Sequence, residues 1–164
     1  MFGTSARMLF KEEIGVNSVF VYGSLMFDAV WGKVVEGRYD SFPAEALNYI
    51  RLAVPAETYP AAVQLEGASI KGLVWQDVSP SDLGRLDAFE GREYRRVAID
   101  VLPLSCVGVE EAVIKPYSAW VYLWNNAQLL DFDQLWDVER FKSEGLPRFL
   151  AKHVGSWEQS GVRH

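Results

Sequence analysis

Apolar residues along this chain come in short runs, and most of them alternate with polar residues at the period of a strand rather than a helix. The exception is Asn17 to Tyr22, whose Val19-Phe20-Val21-Tyr22 core is a continuous apolar run suited to a strand buried on both faces. Gly23 follows and permits a sharp turn. Leu25 to Trp31 has the apolar spacing of a short helix, with Gly32 as its end. Ala46 to Val54 alternates as a strand, Leu47 and Tyr49 against Asn48, Ile50 and Arg51, and Pro55 stops it. Tyr59–Leu65 and Ile70–Val78 read as two further strands flanking a Glu66-Gly67 turn, with Gly72 marking a bulge.

Helical signals begin at Ser79-Pro80-Ser81-Asp82: a capping serine, a proline at the first position and an acid in the first turn. That helix carries Leu83, Leu86 and Phe89 on one face and ends at Gly91. Tyr94 to Leu104 returns to strand, with Val97, Ile99 and Val101 on one side. Pro103 to Gly108 is a turn, and Glu111 to Trp124 is one long strand or two short ones around Pro116. Asp131 reads as the cap of an amphipathic helix with Leu135, Trp136, Val138 and Phe141 inward and Gly145 at its end. Pro147 to Val154 is a last short helix.

Roughly six strands followed by helices predict an α+β fold, a mixed, nearly closed barrel with flanking short helices and a helical C-terminal tail, because closure leaves few open edges. No repeat or linker divides residues 1–164, so a single domain is expected, with 1–16 as a flexible lead-in and 131–164 as the helical tail.

Composition narrows the function. A chain of 164 residues that is 49% hydrophobic and 13% aromatic can bury one substantial core. No apolar run is long enough to span a membrane, and no secretory signal opens the chain. The only cysteine, Cys106, fits a cytoplasmic setting. Net charge is -6 and the basic residues are scattered apart from Arg92, Arg95 and Arg96, which argues against nucleic acid as a partner. No His, Cys or carboxylate group has metal-ligand spacing, so neither a metal nor another cofactor is expected.

Two stretches carry candidate chemistry. In Tyr22-Gly23-Ser24-Leu25 a strand passes through glycine into a helical turn, which presents consecutive backbone N–H groups to a carboxylate or a developing oxyanion; the other reading is an ordinary turn. Ser24 lacks the G-x-S-x-G frame and the nearby histidine of a nucleophile. In Leu86-Asp87-Ala88-Phe89-Glu90-Gly91, Glu90 stands at a helix C-terminus, where the dipole disfavours an anion. Placed beside Phe89 it is either an acid-base group with a raised pKa or a solvated carboxylate on a helix end. Arg92 and Arg96 read as salt-bridge partners on a strand face.

Tyr22-Gly23-Ser24-Leu25, the Tyr59-Pro60-Ala61 segment, Gly72-Leu73-Val74, Leu86 to Gly91, Tyr94-Arg95-Arg96 and Ala119-Trp120-Val121-Tyr122 occur in the order found in the gamma-glutamylcyclotransferase family. From Ser18 to Trp124 the chain resembles that family, most of all its AIG2-like branch, and Phe132 to Phe141 is similar to the tail of AIG2-like members. The resemblance implies a six-stranded barrel with a cavity at one mouth. It implies that Tyr22, Gly23, Ser24 and Leu25 hold the glutamyl end of a small-molecule substrate and that Glu90 is the catalytic acid-base residue. Tyr122 matches a tyrosine that lines the cavity in relatives, and Tyr94 sits where a tyrosine often follows the glutamate, so both are implied as substrate-binding; Glu93 is a near neighbour that does not match the catalytic position.

The implied reaction closes a γ-glutamyl compound to 5-oxoproline with release of an amine or amino acid, and it needs no metal or nucleotide. Two alternatives remain open: a barrel that only binds a small molecule or protein, and the same chemistry on γ-glutamyl amines or a γ-glutamyl-protected metabolite. Trp136, Phe141, Phe149 and Trp157 are expected as core and lid contacts rather than a partner surface.

Overall fold

The computed structural model describes residues 17–104 and 115–154. The expected lead-in, Cys106, Trp157 and the start of the strand before Trp124 lie outside the described residues. Strand β1 (Val19–Val21) leads through a 3-10 turn (Ser24–Met26) into helix α1 (Asp28–Val34). Then come β2 (Ser41–Ala53), β3 (Pro60–Trp75), helix α2 (Pro80–Glu90), β4 (Tyr94–Pro103) and β5 (Tyr117–Trp124). The strands close a barrel in the order β1-β3-β2-β4-β5. Neighbours are antiparallel except β1 and β5, which meet in parallel at Val19 and Trp120.

The barrel therefore has five strands, not six. The expected pair 59–65 and 70–78 is one strand, β3, which pairs along the whole of β2. The Glu66-Gly67 turn signal is genuine, but it produces an irregularity inside the strand. The register jumps between Leu47 and Tyr49, Gly67 takes φ +90°, and its N–H donates to Asn48 Oδ1 at 3.0 Å. Gly72 sits in regular register opposite Ala44, so it is no bulge. A Cβ there would lie 2.2 Å from the Val21 carbonyl oxygen, so glycine is what lets β1 lie against β3. β2 also starts earlier than its alternation suggests. Pro43 pairs opposite Leu73, and its carbonyl accepts from Leu104 N–H at 2.8 Å.

β1 is buried on both faces, as its unbroken apolar run requires. Phe20 and Tyr22 point into the barrel with Ala44, Ala62, Ile70, Val74, Val101 and Val121. Val19 and Val21 point outward under the helices, against Trp31, Trp75, Leu83, Leu86, Phe141 and Phe149. Val97 and Ile99 of β4 pack on the interior cluster with Val101, the face that their alternation predicts.

Helix α2 follows its signals closely. Ser79 accepts from Asp82 N–H at 3.1 Å, Pro80 opens the helix and Gly91, at φ +79°, closes it. Asp82 is itself buried and accepts from Tyr39 O–H at 2.7 Å, from Glu36 and Gly37 N–H at 2.9 Å each and from Arg85 at 2.9 Å. Burial opposes its charge, but those four bonds outweigh it and hold the carboxyl below its usual range. The net tethers α2 to the loop after α1. Helix α1 runs through Gly32 to Val34 instead of ending at that glycine.

The tail departs most from expectation. Asp131 turns its carboxylate back onto Asp133 N–H at 2.9 Å and caps no helix; Leu135 is exposed. Asp137 is the cap, accepting from Glu139 and Arg140 N–H ahead of α3 (Val138–Arg140). Helical backbone then continues through π-type turns at Phe141–Gly145 and Leu150–Val154, with α4 (Leu146–Phe149) between them. Gly145 does not stop it. Its missing side chain admits the Phe141 ring, which would stand 2.8 Å from a Cβ there.

Candidate active site

One mouth of the barrel opens into a cavity of about 390 Å³. Its floor is the end of β1 and the turn that follows: Phe20, Val21, Tyr22, Gly23, Ser24 and Leu25. Gly23 packs against the Pro60 ring, which would lie 2.7 Å from a Cβ, so the chain passes there only as glycine. Met26 N–H bonds back to the Gly23 carbonyl at 3.0 Å and starts the 3-10 turn. The first N–H groups of any such turn have no partner within it. The loop is braced from behind by Arg51, whose guanidinium donates to the Tyr22 carbonyl at 2.9 Å and lies over the Trp136 ring.

The facing wall is the C-terminal end of α2, with Phe89 and Glu90, followed by Glu93 and Tyr94; Tyr59, Pro60, Tyr122 and His153 complete the lining. All seven residues singled out from sequence, Tyr22, Gly23, Ser24, Leu25, Glu90, Tyr94 and Tyr122, thus face one cavity. Glu90 lines it rather than standing in solvent at the helix end. Arg92, Arg95 and Arg96 lie outside it. Arg96 makes a two-pronged bond to Asp87, at 2.8 and 3.2 Å, and lies over the Trp120 ring.

The tyrosine hydroxyls are largely committed to the protein. Tyr22 donates to the Tyr122 carbonyl, Tyr94 to the Pro60 carbonyl at 2.7 Å and Tyr122 to Asp87 at 2.7 Å. These bonds fix the rings as walls. Burial raises the pKa of Tyr22, Tyr94 and Tyr122, at Tyr122 with Asp87 as the next cause and at each with the Glu90 carboxylate adding to it, so all three stay protonated. Tyr59 is pushed up to about 12, first by burial and then by Glu57, Glu93 and Glu90. The Glu90 carboxylate adds to the upward shift of all four tyrosines. Its own pKa is raised to about 8, mainly by burial and secondly by Asp87 one turn earlier. A carboxyl group poised there can both take and give a proton near neutral pH.

Sequence reasoning passed over His153. It stands alone in a helical tail, with no motif around it, and only the packing of that tail brings it to the cavity. Glu93, a near neighbour of Glu90 in sequence, also lines the cavity.

The gamma-glutamyl cyclotransferase, AIG2-like family matches residues 19–143, which takes in the barrel, the loop and Glu90. The chain belongs to this family. It is 27% identical to Protein AIG2 C of Arabidopsis thaliana over 134 residues, 82% of this chain and 77% of that one. An Arabidopsis thaliana protein of known solution structure aligns with a TM-score of 0.60 at 27% identity, covering 84% of this chain and 87% of its own. A solved gamma-glutamyl cyclotransferase aligns with a TM-score of 0.51 at 19% identity, covering 70% of this chain and 68% of its own, a likeness of fold. The family accounts for the mixed closed barrel and for the order of the landmark segments. No helix among the described residues is long and apolar enough to cross a membrane.

Proposed function

We propose that the protein is a gamma-glutamyl cyclotransferase that converts a small γ-glutamyl compound to 5-oxoproline, with Glu90 as the acid-base group. The observation that carries this reading is the position of Glu90: a partly buried carboxyl with a pKa near 8, on the wall of a cavity whose floor is the Tyr22–Leu25 loop. Family membership supports the reaction class.

The chemistry asks little of the protein beyond shape. The substrate's α-amine attacks its own γ-carbonyl carbon. The new carbon–nitrogen bond closes a five-membered lactam, and the old amide bond breaks to release an amine or amino acid. Nucleophile and electrophile share one molecule, so holding it folded supplies much of the acceleration. Glu90 takes the proton that the α-amine loses and returns it to the departing nitrogen, leaving the protein unchanged. The N–H groups of Ser24 and Leu25 are the donors for the α-carboxylate or for the oxyanion formed at the γ-carbonyl. Tyr22, Tyr94 and Tyr122, pinned through their hydroxyls, shape the space around the glutamyl chain. With Cys106 its only cysteine, the protein suits a reducing compartment, and we place the reaction in the cytoplasm.

The test is Glu90→Gln, which keeps the shape and removes the proton carrier. Release of 5-oxoproline from a panel of γ-glutamyl dipeptides, glutathione and γ-glutamyl amines is expected to fall about a hundredfold or more. Near-full activity in the variant would sink the assignment of Glu90.

A further inference from the structure

Arg51 is a cation held at the join of barrel and tail. It stands on β2 opposite Ala62 and is half-buried. Among the described residues no carboxylate forms an ion pair with it. Burial lowers its pKa, and Tyr22 and Asp137 only partly offset that. Burying a charge is unfavourable unless strong hydrogen bonds compensate. Here those bonds go to the main chain: Nη1 donates to the Tyr22 carbonyl at 2.9 Å and to the Lys71 carbonyl at 3.3 Å. The far side of the guanidinium is covered by the Trp136 ring, whose centre is 5.1 Å away. Trp136 is itself fixed: its indole N–H donates to the Thr58 carbonyl at 2.8 Å and its backbone N–H to the Arg51 carbonyl at 3.4 Å.

The two carbonyls mark the place where β1 leaves the sheet. The β1–β3 ladder runs from Val19 opposite Trp75 to Val21 opposite Leu73. Continued, it would set Gly23 opposite Lys71. Arg51 takes the Lys71 carbonyl instead, and no backbone acceptor among the described residues is bonded to Gly23 N–H. Across a planar trans peptide the carbonyl and the following N–H point in opposite directions. Arg51 is no part of the cavity lining, whereas Tyr22 and Gly23 both are. With the Tyr22 carbonyl turned to Arg51, the Gly23 N–H is turned away from it, to the cavity side. A cationic donor on the carbonyl oxygen also polarises the amide, which makes that N–H a stronger donor.

We propose that Arg51 is a positioning residue: it fixes and polarises the Tyr22–Gly23 peptide so that Gly23 N–H joins those of Ser24 and Leu25 in holding the oxyanion formed at the γ-carbonyl. The inference rests on the cyclotransferase reading. It assigns to a side chain outside the cavity the aim of a donor inside it. Its effect belongs to the transition state, where the oxygen carries charge, and so to kcat rather than KM.

The experiment measures 5-oxoproline release, per folded protein, by wild type, Arg51→Lys and Arg51→Ala. Arg51→Ala is expected to lose about tenfold or more in kcat with KM within about twofold of wild type. Arg51→Lys, which keeps a cationic donor on the same stem, is expected to recover part of that loss. Millimolar guanidinium chloride, far below denaturing concentrations, is expected to restore part of the kcat of Arg51→Ala, and an equal concentration of sodium chloride is not. A merely structural arginine predicts a lower denaturation midpoint with wild-type kcat in the folded fraction. That result, a loss carried by KM alone, or a kcat indifferent to guanidinium overturns the proposal.

A second measurement holds even where Arg51→Ala does not fold. Glu90→Gln protein is titrated with a γ-glutamyl amide while the Gly23 amide proton is followed by NMR. Its resonance is expected to move downfield as the γ-carbonyl oxygen accepts from it, and an unmoved resonance at saturation overturns the proposal. The two readings fail differently. Wild type that releases 5-oxoproline from no member of the panel above defeats the reaction and the inference together. Glu90-dependent release that is indifferent to Arg51 defeats the inference alone.

Discussion

At the residue scale, the proton affinity of Glu90 decides how the site behaves with pH. Its pKa near 8 has burial as the first cause and the Asp87 carboxylate as the second. Asp87 is held in place by Arg96 and by the Tyr122 hydroxyl. Replacing Asp87 by Asn keeps an acceptor for Tyr122 and removes the charge. The Glu90 pKa is then expected to fall, and the ascending limb of kcat/KM against pH to move to lower pH with it. Carbon-13 NMR of the Glu90 carboxyl reads the same shift without substrate. An unmoved pKa would mean that burial alone sets it.

The effect on stability has a definite sign. The folded-state pKa lies above the ordinary 4.5, so the native state holds its proton longer than the unfolded chain. The associated stability is full below about pH 4.5 and is lost as pH rises toward 8. Glu90→Gln is expected to abolish that slope in denaturant melts. Glu90 was legible in the sequence for a partly different reason. A carboxylate at a helix C-terminus looked misplaced, whereas in the fold the cavity wall does most of the shifting. His153 was illegible because nothing within its own stretch of chain distinguishes it.

At the element scale, the features that depend on adjacent residues were readable and those that depend on a distant partner were not. The cap, proline and terminal glycine of α2 act within a turn of the backbone, and they stand where the pattern put them. Glu66-Gly67 also carries a true local signal, but whether it reverses the chain or only dents a strand depends on Asn48, far away in sequence. Asp131 has a capping side chain, but its carboxylate is occupied by Asp133 N–H, and Asp137 caps the helix instead. Gly72 is the sharpest case, since the pattern offers a bulge and the packing demands bare backbone. Gly72→Ala would drive a methyl into the Val21 carbonyl, in the short strand that ends at the candidate substrate loop. The variant is expected to lose about 3 kcal/mol or more of unfolding free energy. Its 5-oxoproline release should fall even under conditions where it remains folded, because β1 sets the height of the loop. A denaturant melt and an assay below the transition separate the two effects. Wild-type values in both would show that β1 can move away from β3 without consequence.

At the scale of the whole molecule, the barrel and tail form one packing unit, and the cavity lies along their join. The aromatic tail residues were expected as core and lid contacts, and Trp136, Phe141 and Phe149 are buried with residues of β1, α1 and α2. Phe149 is the pivot. It meets Phe141 within the tail, Phe89 next to Glu90, and Tyr59 across the mouth. Truncating it removes a buried ring and unseats His153 at the same time. Phe149→Ala is expected to cost about 3–5 kcal/mol, read as a lower denaturation midpoint. Phe149→Leu, which keeps most of the volume, should cost less and keep the tail in place. Because Phe149 packs against Phe89, next to Glu90, Phe149→Ala should also lower 5-oxoproline release under conditions where it remains folded, whereas Phe149→Leu should preserve it. Loss of stability with activity intact would mean that the tail buttresses the barrel without shaping the site, because the same residue would then support the fold and leave the cavity wall unchanged.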